Sequence, residues 1–66
     1  MEITEIQKQL TQLLLNFIED ETSIVGIMLV LKTEKQQEQM IDYIIENKNK
    51  VDKEMIMTKM LDLIKN

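Results

Sequence analysis

Residues Ser23–Leu31 read SIVGIMLVL, and from Ile24 to Leu31 no polar side chain interrupts the run. Elsewhere apolar and polar positions alternate. A helix that is apolar all round has no face to turn toward water, so neighbours must enclose it. Any architecture open to this chain has to supply that enclosure.

Eight residues fall far short of the roughly 20 needed to span a bilayer, so no membrane passage is expected. Two local states remain. Val25 and Val30 are β-branched, and Gly26 weakens a helix by about 1 kcal/mol, which makes a strand a rival. A strand needs a partner, however, and no second strand-like run exists. That reading would require pairing with the same segment of another copy. A helix is the expected state. Gly26 would then mark a point where a neighbouring helix approaches closely.

The rest of the chain reads as helix. It has no proline and one glycine, and Glu, Gln, Lys, Leu and Met dominate. A first helix is expected from about Glu5 to Asp20. Thr4 with Gln7 fits a capping box, and Ile3, Ile6, Leu10, Leu13 and Phe17 step at helical spacing, widened by Leu14 and Ile18. Leu15 stands off that stripe. Glu19-Asp20-Glu21 suits a helix N-terminus better than a C-terminus, so a turn is expected there, with Asp20, Thr22 or Ser23 capping the apolar segment.

Thr33-Glu34-Lys35-Gln36 is a second capping box and opens a helix that runs to about Glu46. Met40, Ile41, Ile44 and Ile45 mark its buried face. Asn47-Lys48-Asn49-Lys50 is a polar turn. Val51 at N′, Asp52 at the N-cap and Ile56 at N4 then form a hydrophobic staple that starts a last helix, Lys53 to about Lys65. Its apolar face carries Ile56, Met57, Met60, Leu61, Leu63 and Ile64. The expected fold is therefore all-α, one small bundle of three long helices plus one short apolar helix. Because the connections are short, helices adjacent in sequence should be adjacent in space.

At 66 residues a chain buries only about 60% of its unfolded surface, and small domains of this kind commonly need a staple. Cysteine and histidine are both absent, which removes disulfides and the usual zinc sites. Association is the staple still open. A homodimer is expected, with Ile24, Ile27, Met28, Leu29, Val30 and Leu31 as its candidate interface; two-fold dimers are the commonest oligomers. Tyr43 and Met55 form a candidate patch for another protein, the plainer reading being two partly exposed side chains. The remaining methionines, at helical spacing, read as core filler.

Chemistry is poorly supplied. No Cys, His or Arg is present, with one Ser and one Tyr, so the usual nucleophile–base pairs cannot be assembled, and no enzyme is expected. Glu34, Glu38, Asp42 and Glu46 recur every four residues; a solvated face explains them more simply than a cation site. Di-iron bundles want Glu-x-x-His pairs, which are missing. No cofactor or metal is expected.

The net charge of −4 and the lack of arginine argue against nucleic acid. Lys48, Lys50 and Lys53 around the last turn keep one alternative open, a small helix-turn-helix transcriptional regulator binding DNA. Against it, the turn lacks glycine and the second helix carries Glu54 and Asp62. The opening MEITEIQ is acidic, without the basic start of a secretory leader, and the absence of cysteine fits a cytoplasmic protein. The expectation from sequence is a non-enzymatic interaction or structural module that acts as a homodimer.

Overall fold

A computed structural model describes residues 4–65. Its elements are α1 (Glu5–Leu15), α2 (Glu21–Val30), α3 (Glu34–Glu46) and α4 (Lys53–Lys65), and no strand occurs among the described residues. The fold is a small all-α bundle. The apolar run is helical, with a polar first turn from Glu21 to Ser23, and Leu31 lies just beyond its end.

The helix starts follow from local chemistry. The Thr4 hydroxyl accepts from the Gln7 amide at 3.1 Å while Gln7 Oε1 accepts from the Thr4 amide at 3.0 Å. Thr33 and Gln36 repeat that exchange at 3.1 and 3.3 Å. Each exchange satisfies two donors that the helix itself leaves unpaired. Asp52 accepts from the Met55 amide at 2.9 Å, and both halves of the expected staple, Val51 and Ile56, are buried.

The first helix is shorter than its periodicity implies. It stops at Leu15 with Asn16 as C-cap, and a turn through Phe17 delivers Ile18 into the core. The apolar stripe thus runs past the helix and into the turn. Consequently α1 has 11 residues, and α2, the shortest of the four helices, has 10. Ile3, placed on the stripe from sequence, lies outside the described residues.

The helices form a four-membered ring: α1 packs on α2 and α3, and α4 packs on α3 and α2, with no packing across either diagonal among the described residues. Here the rule of sequence neighbours fails once. Helices α2 and α3 are joined by residues 31–33 alone, yet they lie diagonally. Leu31 leaves helical geometry at ψ 82° and Thr33 is extended at ψ 152°, so the chain crosses the ring before it turns into α3. Leu31 is fully buried. Its carbonyl accepts a 2.7 Å hydrogen bond from Gln37 Nε2, and Gln37 is the one buried polar residue among those described.

The core collects Leu10, Leu14 and Ile18, then Ile24, Ile27 and Leu31, then Met40, Ile41 and Ile44, and finally Val51, Ile56, Met60 and Leu63. The radius of gyration, 10.8 Å, equals the roughly 11 Å of a compact chain of this length. One copy therefore encloses its own core. Three expected core positions are outside it. Ile45, Leu61 and Ile64 are exposed because α3 and α4 each meet only two neighbours, which leave part of each expected apolar face uncovered.

Candidate interaction surface

In α2 the buried positions are Ile24 and Ile27, continued by Leu31, a 3-4 spacing that fixes one face against the core. At 100° per residue the opposite face carries Val25 and Leu29, four apart. Val25 is 55% exposed and Leu29 is 69% exposed. The other helices put charged or amide side chains on the outward side. This one has none to put there after Ser23.

The uncovered surface continues onto both neighbours. Leu15 at the end of α1 lines a shallow cleft with Thr11, Glu21, Ile24 and Val25, which joins it to the α2 face. On α4, Lys59, Asp62 and Leu63 line the cleft against α3. The other flank of α4 is therefore the one turned toward α2, and it carries Met57, Leu61 and Ile64, of which Leu61 and Ile64 are exposed. Exposed apolar side chains thus stand on the outer face of α2 (Val25 and Leu29, with Leu15 of α1 beside Val25) and on α4 (Leu61 and Ile64).

One polar end of this surface is pinned. Asp20, the N-cap of α2, accepts from the Ser23 hydroxyl at 2.7 Å through Oδ2 and from the Thr22 amide at 3.2 Å through Oδ1. The Lys53 ammonium at the start of α4 lies 3.9 Å from Oδ2. The Ser23 hydroxyl first, then the Thr22 amide and Lys53, hold the Asp20 carboxyl below its ordinary pKa.

The expected interface residues separate into two groups. Ile24, Ile27 and Leu31 belong to the core of the single chain and are not available to a partner, because α1 and α4 already cover them. Leu29 is exposed, and Met28 and Val30 are half-buried against the core. Val25 is not in the group expected from sequence. The signal that finds it is the register: once the 24-27-31 stripe faces inward, 25 and 29 must face out. Gly26 is not a point of close approach within the chain, since a Cβ placed there meets nothing within 4 Å.

Tyr43 and Met55 are both half-buried and both touch the core. Tyr43 lines a cleft with Gln39, Asp42, Glu46 and Lys59, and the Lys59 ammonium sits 5.4 Å from its ring centre. Met55 does not line that cleft.

Of the three turn lysines, Lys53 is the one directed at Asp20, while Lys48 and Lys50 are exposed in the turn. The outward side of α4 holds Glu54, Thr58, Asp62 and Lys65. Among the described residues no group of three or more acidic side chains is arranged to hold a metal ion, and no helix is long and apolar enough to cross a membrane. Comparison with known proteins returns no matching family, no matching curated protein and no matching solved structure.

Proposed function

We propose that this protein is a small, non-enzymatic interaction module that self-associates as a homodimer through the outer apolar face of α2 and the exposed apolar side chains of α1 and α4. The observation that carries the reading is the exposure of Val25 and Leu29 on a helix with no polar residue between Ile24 and Leu31. Contiguous apolar surface of this kind marks association sites in soluble proteins.

Magnitudes set the strength. Full burial of an aliphatic side chain is worth about 1.5–3 kcal/mol, so half-exposed Leu15, Val25, Leu29, Leu61 and Ile64 each return about 1 kcal/mol when covered. Both copies together give on the order of 10 kcal/mol. Association costs about 4–15 kcal/mol in lost freedom, and with the smallest of these costs the net of about 6 kcal/mol corresponds to dimerisation at tens of micromolar, not nanomolar.

Sedimentation equilibrium of the 7.8 kDa chain over a wide concentration range tests this, alongside Leu29→Lys. Leu29 is uncovered in the single chain, so the variant keeps its helical circular dichroism and loses the dimer. A wild-type chain that stays monomeric at hundreds of micromolar (about tenfold above that concentration) overturns the proposal. So does a Leu29→Lys variant that dimerises like wild type.

A further inference from the structure

Glu21, Val25 and Leu29 follow one another at four-residue spacing along α2, and all three are exposed, so they share one outward ridge. Glu21 stands beside Val25 in the cleft that both line with Leu15. Three residues beyond Leu29, the exposed Lys32 follows the helix. No charged side chain lies between Glu21 and Lys32. The segment is thus acidic at one end, apolar in the middle and basic at the other. The two ion pairs among the described residues, Asp20–Lys53 and Lys59–Asp62, include neither Glu21 nor Lys32.

Gly26 belongs to the same outward half of the helix, one turn before Leu29 and one turn after the exposed Thr22. A glycine weakens a helix interior, and nothing in the single chain requires one here. Its φ is not positive, and a Cβ at this position meets no atom within 4 Å. What a glycine on an outward helix face does permit is the close approach of a second backbone.

We propose that the outer face of α2 is covered by the same face of a second copy, laid antiparallel. This deepens the homodimer reading and rests on it. Val25 packs on the partner's Leu29, and Glu21 faces the partner's Lys32, each contact occurring twice by symmetry. Pairing Glu21 with Lys32 centres the two-fold axis between Gly26 and Ile27, and pairing Val25 with Leu29 centres it at Ile27. One register therefore serves the charged ends and the apolar middle, with Gly26 beside the axis. The parallel alternative sets Glu21 against the partner's Glu21 and Lys32 against the partner's Lys32. It places like charges at both ends and aligns the two helix dipoles.

The test is the dimer dissociation constant of the full chain, measured by sedimentation equilibrium at about 50 mM salt, where the Debye length is roughly 14 Å. Glu21→Lys and Lys32→Glu each weaken the dimer about three- to tenfold, because each sets like charges face to face at both ends. The double variant Glu21→Lys/Lys32→Glu returns to within about twofold of wild type, since the reversed charges face each other again. Gly26→Ala weakens the dimer about fivefold or more, as an added methyl group does in close packing, while its helical melt on dilute protein rises. A wild-type chain that stays monomeric removes the homodimer reading and this one with it. A dimer that Leu29→Lys disrupts, but in which the single reversals change nothing or the double variant is as weak as the two combined, overturns the antiparallel arrangement alone. So does a Gly26→Ala chain that dimerises as tightly as wild type.

Discussion

Gln37 is 2% exposed, and its two amide atoms stand in opposite situations. Nε2 donates to the Leu31 carbonyl at 2.7 Å, satisfying a group that the end of α2 leaves without a helical partner. Oε1 is buried and accepts nothing among the described residues. Substitution separates the two roles. In Gln37→Met the Leu31 carbonyl loses its donor at a cost of about 1–3 kcal/mol, and the orphaned oxygen disappears with a gain of similar size. The net change stays within about 1 kcal/mol.

Gln37→Glu behaves differently because an ionised carboxylate has no proton to give. It would meet the Leu31 oxygen with another oxygen, in a position closed to water. Burial raises the folded pKa of such a carboxyl well above the unfolded value of about 4.3, so at pH 7 the folded chain holds a proton that the unfolded chain has released. Keeping that proton costs about 1.4 kcal/mol per pH unit above 4.3, or roughly 3–4 kcal/mol at pH 7. Total stability for 66 residues is on the order of 3–10 kcal/mol. Gln37→Glu therefore loses between about a third and all of that stability at neutral pH. Below the unfolded pKa both states are protonated, the penalty vanishes, and the acid hydroxyl can donate to Leu31. Thermal melts followed by circular dichroism between pH 4 and pH 7 (a window of about 3 units around these values) should show the gap to wild type closing as pH falls. A Gln37→Glu variant that tracks wild type at every pH refutes Nε2 as the donor to Leu31 in a site closed to water, and a Gln37→Met variant as damaged as Gln37→Glu refutes the offset from the orphaned Oε1.

Gly26 sits inside α2 with no positive φ and nothing within 4 Å of where a methyl group would stand, so Gly26→Ala should stabilise the chain by about 1 kcal/mol and raise Tm by roughly 4–8 °C. A fall in Tm measured on dilute protein would show that the backbone is approached after all. Asp20 has a folded pKa below its unfolded one, set first by the Ser23 hydroxyl, so its contribution is present above the unfolded pKa and is lost as pH falls through the folded pKa. Asp20→Ala should therefore lower Tm at pH 7 and lessen the loss of stability on acidification; an unchanged acid profile would remove Asp20 from that role.

Much of the fold was legible because its signals are local. Both threonine capping boxes and the Val51–Ile56 staple are spelled out within a few residues, and α3 and α4 begin where those signals put them. What was not legible depended on the ring. The periodicity of α1 continues through Phe17 and Ile18, so pattern alone could not show that a turn at Asn16 delivers Ile18 to the same core. Gln37 falls on the 37-40-41-44 stripe, but a glutamine there reads as solvated until Leu31 is seen to lack a donor. Ile45 and Leu61 lie next to buried positions, and only the number of neighbours decides whether a marginal residue is covered.

That last point bears on what α2 is for. A helix in a four-membered ring has two neighbours, which together cover one side of it. Helices α1, α3 and α4 meet this condition with amphipathic sequences, placing Gln12, Glu38 or Asp62 where the ring does not reach. α2 occupies an equivalent place with an apolar outer face. Folding of one chain needs Ile24, Ile27 and Leu31, and it needs nothing hydrophobic at 25 or 29. Polar residues at those two positions would leave the core untouched and increase solubility. Val25 and Leu29 are thus surplus to the fold of one copy, and it is this surplus on which the proposed association rests.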